Sequence, residues 1–207
     1  MKRSQKDIEE IKFTQEVRER LRQNRENKEL REAATRFNQV SNQSKYSYNF
    51  RWFGRPIIQY PQDIVATQEL VFATQPDLII ETGVARGGSL VFYASLLALL
   101  DLAKCNEEVG TGESKQRVHR RVVGVESDLR EHNKQALTAH PMWPWIQIIE
   151  GSSIDKETII EVCEVAKDFS NIMVCLDSNH THDHVLAELH AYAPLVSIGC
   201  YCIVFDT

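Results

Sequence analysis

From residue 63 onward, short apolar runs that end in glycine, serine or an acid alternate with longer helical segments, and this alternation constrains the fold more than any other feature. DLIIETG (77–83), RRVVGVESD (120–128), IQIIEGSS (146–153), NIMVCLDSN (171–179) and GCYCIVFDT (199–207) are too short for buried helices and read as strands. Between them, 63–75 has helical periodicity and stops at Pro76, 88–103 is a helix apolar nearly all round, and 129–140 is a helix ended by Pro141. Two more helices follow over 155–168 and 182–195. Strands apolar throughout are buried on both faces, so helices must cover both sides of a parallel sheet. The predicted fold is a doubly wound α/β sheet, with the polar segment 104–117 as a surface loop.

The sheet domain is assigned to 46–207 and a charged helical arm to 1–45. The arm holds 12 Lys+Arg against 8 Asp+Glu, and its apolar points (Ile8, Ile11, Val17, Leu21, Leu30, Phe37) are too sparse for a self-sufficient core helix. It is expected to pack on a neighbour, to join two copies as a homo-oligomer, or to fray. The aromatic stretch 46–63 reads as an ordered covering loop, since so many rings would not be left in water. Beyond the arm the charge is acidic, 12 Lys+Arg against 21 Asp+Glu, which excludes a nucleic-acid partner. No apolar window is long enough to span a membrane and no apolar leader opens the chain. The five cysteines form no C-x-x-C pair, so a reduced, cytoplasmic protein is expected.

In open α/β sheets the ligand lies outside the carboxyl ends of the strands, where strand order reverses. The first strand ends in Glu81-Thr82-Gly83-Val84-Ala85-Arg86-Gly87-Gly88-Ser89, a turn whose glycines would let a ligand approach backbone and helix N–H groups. Its spacing is neither G-x-G-x-x-G nor Walker, which favours a cofactor without a pyrophosphate. Glu126, ending the second strand, can accept hydrogen bonds from both hydroxyls of a ribose. Asp128 or Ser127 can instead cap the next helix. Ser152 and Ser153 form a small turn able to admit an adenine edge. Asp177 ends the fourth strand and Asp206 the fifth. His180-Thr181-His182-Asp183-His184 is one residue short of the H-x-H-x-D-H zinc motif, which puts its ligands out of register.

These strings resemble the class I S-adenosylmethionine-dependent methyltransferases. Among them the cephalosporin hydroxylase / rhamnosyl O-methyltransferase family is the most similar, through IIETGVARGGSLVFYASLLALL (79–100), VVGVESD (122–128), IIEGSS (148–153), CLDSNHTHDHVLAELHAYAPLV (175–196) and YCIVFDT (201–207). The resemblance covers about residues 50–207 and implies a Rossmann-like methyltransferase fold with S-adenosylmethionine in the crevice. Glu81 and Gly83 would then lie near its amino-acid end and Glu126 on its ribose, with Ala85, Gly87, Ser89 and Ser152 completing the cofactor set. It also implies Mg²⁺ held by Asp177 and Asp206, with Phe205 standing where a further acid is usual.

The implied reaction is methyl transfer to a hydroxyl of a small metabolite, sugar or glycolipid, with Asp177 at the reacting centre and His180 or His182 taking the proton. Two alternatives stay open. One is iron oxygenase chemistry through His180, His182 and Asp177; the other is a non-catalytic cofactor-binding or interaction module. The chain stops directly after the fifth strand, where this class continues, so a sheet short of its last strands is expected.

Overall fold

The computed structural model describes residues 5–111 and 120–206, and the chain divides into two compact units, Met1–Tyr46 and Ser47–Thr207. The first holds helices α1 (Gln5–Glu26) and α2 (Lys28–Gln43), separated by Asn27, whose side chain accepts the Leu30 amide at 3.0 Å and starts α2. Exposed pairs such as Arg22 with Glu19 and Glu26 add a few tenths of a kcal/mol to α1.

The second unit opens with strands β1 (Phe50–Trp52) and β2 (Arg55–Ile57), paired antiparallel. The covering loop expected over 46–63 is therefore a hairpin followed by helix α3 (Pro61–Thr74). Its two-residue turn puts both Phe53 and Gly54 at positive φ, which matches the strand twist. The hairpin packs on helix α4 (Gly88–Thr111): Trp52 meets Phe92 edge-on at 4.8 Å and its indole N–H donates to Ser95 at 3.0 Å. Residues 104–111, expected in a loop, extend α4. The rest of that expected loop, 112–117, lies outside the described residues.

The main sheet contains β3 (Leu78–Thr82), β4 (Arg121–Glu126), β5 (Ile146–Glu150), β6 (Ile172–Leu176) and β7 (Cys202–Val204), all parallel, in the order β5-β4-β3-β6-β7. The order confirms the doubly wound class. Burial follows position: β3 and β6 are buried at every residue, whereas edge strand β7 is partly exposed throughout.

Side-chain alternation divides the core. Ile79, Val122, Met173 and Cys175 face α4 with Leu90, Phe92 and Leu97. Leu78, Ile80, Val123, Val174 and Leu176 face helices α6 (Lys156–Ala166) and α7 (His182–Tyr192) through Val162 and Tyr192. Helix α5 (Glu131–Thr138) adds Leu137 to the α4 side. Neither Ser127 nor Asp128 caps α5: its N-cap is Arg130, and no side-chain cap bond is made there.

Candidate functional site

The chain runs outward from β3 to β4 and β5, then returns to place β6 on the other side of β3, so the switch point lies between the ends of β3 and β6. Gly83 sits there at φ +87, its amide held by the Val125 carbonyl at 2.9 Å. A Cβ at this position would stand 2.7 Å from the Asp177 carbonyl carbon and the Ser178 Cα. At Gly87 (φ +76) a Cβ would meet Leu137 at 2.5 Å. Both glycines therefore admit the protein's own neighbouring elements. The carbonyls of the turn are tied down as well. Asn133 donates to that of Ala85 at 3.1 Å, and Arg55, from the hairpin, donates to that of Arg86.

Glu126 closes the turn. One carboxylate oxygen accepts the Val84 and Ala85 amides, each at 2.9 Å, and the other accepts Asp128 N–H at 3.2 Å. Ala85 is thereby held at φ +47, an unfavourable region for a residue with a Cβ. A carboxylate has about four acceptor positions, so three amides orient Glu126 and leave capacity for a further donor. On one side of it lies a groove of about 230 Å³ lined by Gly83, Ala85, Ser127, Ser152, Ser153, Asp177, Ser178, Asn179 and His184. On the other side lies a hollow of about 360 Å³ bounded by Ile58, Arg86, Arg130 and His132.

The expected cofactor residues thus separate. Gly83, Ala85, Glu126, Ser152 and Asp177 line the groove; Gly87 is packed under α5; Glu81 and Ser89 lie beneath it. Glu81 follows the parity of Ile79, so its side chain enters the core on the α4 side, between Gly124 and Cys175. It is fully buried, and among the described residues neither carboxyl oxygen has a hydrogen-bond partner. Burial, and after it the charge of Asp177, holds its pKa well above the ordinary carboxylate range. The nearby Ser89 hydroxyl pulls the other way without meeting hydrogen-bond geometry.

At the far wall Asp177 is partly buried and accepts a hydrogen bond from the Gln59 amide at 3.0 Å. Its pKa is raised to about 8, first by burial and then by the Asp206 carboxylate. Ligand atoms of Asp177, His180 and Asp206 all lie within 4.8 Å of one another, with His180 Nε2 3.5 Å from Asp206 Oδ2. Two carboxylates and an imidazole form a set that can hold a divalent cation. Asp206 reaches it from a left-handed backbone, φ +55, while Phe205 packs into the apolar cluster on the α4 side.

His182 is not brought to this site. Its side chain is 85% exposed and pairs with Asp183, because the first turn of α7 aims it at solvent. The triad of His180, His182 and Asp177 is therefore not assembled. The three histidines of 180–184 also diverge, since His184 turns inward. Its Nε2 lies 3.0 Å from Ser153 Oγ, 3.2 Å from Ser178 Oγ and 3.5 Å from Glu188, whose carboxylate accepts from Ser178 at 2.6 Å. All three partners meet the same nitrogen, so the cluster braces the groove floor and is no Ser–His–Glu relay. Sequence reasoning missed Gln59 and Glu188. The i,i+4 spacing of His184 and Glu188 on one face of α7 was the available signal.

Comparison with known proteins converges on one family. The model of the family described as rhamnosyl O-methyltransferase/CmcI matches residues 44–207. The rhamnosyl O-methyltransferase of Mycobacterium tuberculosis is 28% identical over 141 residues, 68% of this chain and 49% of that protein. The Mycobacterium leprae protein of the same description is 25% identical over 157 residues, 75% of this chain and 59% of that protein. The chain spans about half the length of the curated relatives it matches. Two CmcI structures share the fold. The apo form has a TM-score of 0.50 at 18% identity, over 76% of this chain and 57% of that one. A form described as Mg-SAM has 0.51 at 17%, over 77% and 58%.

Proposed function

We propose that this chain, which belongs to the rhamnosyl O-methyltransferase/CmcI family, is an S-adenosylmethionine-dependent, metal-assisted O-methyltransferase acting on a hydroxyl of a sugar, glycolipid or similar small metabolite. The observation that carries the reading is that Asp177 belongs both to the wall of the groove and to the Asp177–His180–Asp206 donor set. A donor held in the groove and an acceptor oxygen held at the donor set would meet at one side chain. The relatives' description as O-methyltransferases and the Mg-SAM form of CmcI support the same reading.

Bound S-adenosylmethionine supplies a methyl group on a sulfonium, and a bound divalent ion supplies the Lewis acidity that lowers a hydroxyl's pKa. The chain's own residues bind and orient. Glu126, already fixed by three amides, offers its remaining acceptor capacity to ribose hydroxyls. Ser152 presents a small polar group to the base edge, and Ser153, bonded to His184 in the His184–Ser178–Glu188 cluster, keeps that part of the groove rigid. Gln59 fixes the orientation of the Asp177 carboxylate.

Calorimetric titration with S-adenosylmethionine tests the cofactor half of this reading. Glu126→Gln, which keeps an acceptor for the turn amides, is expected to weaken binding about 10-fold, and Glu126→Ala about 100-fold. No binding by the wild-type chain, or equal binding by all three proteins, overturns it. Tight binding without methyl transfer to any hydroxylated sugar would instead leave a cofactor-binding module.

A further inference from the structure

We infer that His180 completes a mixed nitrogen–oxygen site for a divalent transition-metal ion, in place of the carboxylate set and Mg²⁺ that the family resemblance implies. The inference rests on the metal-assisted reading above and departs from it in the third ligand and the identity of the ion.

Its starting point is Phe205, which stands where the family resemblance implies a further acid. The ring packs into the apolar cluster on the α4 side, so this position offers no donor. The third donor within reach of Asp177 and Asp206 is the His180 imidazole. The left-handed backbone at Asp206 turns its carboxylate onto His180, and Asp177 comes from the neighbouring strand end. A spread of 4.8 Å among three ligand atoms closes onto one ion, with bonds of about 2.1 Å, by sub-ångström side-chain adjustments.

The chemistry of the set then selects the ion. Mg²⁺ requires near-octahedral oxygen ligation and sheds its water reluctantly, whereas an imidazole nitrogen beside carboxylates suits Fe²⁺, Co²⁺ and Zn²⁺, with Mn²⁺ the weakest binder of that transition series. Asp177 and Asp206 neutralise the two positive charges. Gln59 supplies the outer hydrogen bond to Asp177. His180 and Asp206 are 42% and 70% exposed, which leaves an entry path and an open side for water or an acceptor oxygen. A nitrogen that binds an ion has no lone pair for a proton, so the assignment also removes His180 Nε2 from the role of general base.

The test uses the full chain, stripped with a chelator and titrated with Mg²⁺, Mn²⁺ and Co²⁺ by calorimetry, with pulsed electron paramagnetic resonance of the Mn²⁺ adduct. Mn²⁺ and Co²⁺ are expected to bind at least about 10-fold more tightly than Mg²⁺, with ¹⁴N coupling in the Mn²⁺ spectrum. His180→Ala should abolish the coupling and the selectivity, His182→Ala should keep both, and Asp206→Asn should weaken all three ions. Mg²⁺ binding as tight as Mn²⁺, or a wild-type Mn²⁺ spectrum without nitrogen coupling, overturns the inference and leaves the metal-assisted reading standing. Failure of every divalent ion to bind overturns both. The wild-type spectrum reads the nitrogen directly, so the test does not depend on the variants folding.

Discussion

Gly83→Ala is expected to destabilise the protein by about 4 kcal/mol or more, which for many chains means failure to fold. Two costs combine. A residue with a Cβ at φ +87 carries about 1–2 kcal/mol of backbone strain. The added methyl would also stand 2.7 Å from backbone atoms of Asp177 and Ser178, which cannot rotate away as a side chain could. Those atoms are anchored, because the Asp177 amide bonds the Thr82 carbonyl at 3.0 Å while Gly83 bonds Val125. Relief therefore requires β3 and β6, the two most buried strands, to part at the switch point.

Gly54→Ala is the matched comparison. Its φ is +84 and nothing lies within 4 Å of an added Cβ, so it carries the strain without the clash. Urea unfolding of both variants separates the two costs. A Gly83→Ala protein within about 1 kcal/mol of Gly54→Ala would show that the strand ends are not locked as described. For the same reason, substitution at Gly83 reports on the fold before it reports on any cofactor.

The strand glycines show how far the sequence could be read. A glycine after an apolar run marks a turn at 83 and 151, and the alternating pattern around it is enough to place five strands and their helices. What the glycine makes room for is a question of distant residues. Gly83 admits Asp177, 94 positions on, and Gly88 admits Ile57, whose Cα would lie 2.6 Å from a Cβ there. The hairpin escaped notice because three-residue strands, one containing Pro56, carry no alternation that can be read. Gln59 and Glu188 were hidden for a related reason: each gains its importance from a single contact, with Asp177 or Ser178, and periodicity encodes faces rather than contacts. Asp177, Glu126 and Asp206 were legible, since strand-end acids occupy the crevice by topology alone. His180 was legible as a neighbour of the Asp177 strand end, but its pairing with Asp206 depends on the left-handed turn at that residue.

Stability is expected to fall, not rise, between pH 5 and pH 8, and Glu81 and Asp177 supply the reason. Both carboxyls have folded-state pKa values raised above the unfolded ones, Asp177 to about 8 from 3.8 and Glu81 well above 4.5. Below about pH 4 both are protonated in either state and their contribution is fully present. Above it the unfolded chain releases protons that the folded chain retains, so the folded state binds more protons and unfolding becomes easier as pH rises. Each tenfold difference in proton affinity between the two states is worth about 1.4 kcal/mol. Water reaches part of Asp177 and screens it, so its share of the loss across this window should be about 2 kcal/mol, to which Glu81 adds in the same direction.

Asp177→Asn should remove its own share of that slope up to about pH 8, and Glu81→Gln should remove the larger share and its continuation above. A saturating divalent ion distinguishes the two groups. It binds the deprotonated Asp177 and so cancels that residue's part, while Glu81, whose shift comes first from burial, keeps most of its own. Urea denaturation at four pH values, with and without Mn²⁺, measures both effects. Variants whose profiles run parallel to the wild type would refute the account. If the profiles separate as expected, the two carboxyls weaken the folded state at neutral pH, and one of them is relieved only when a cation arrives, which ties the cost to the site rather than to the architecture of the sheet.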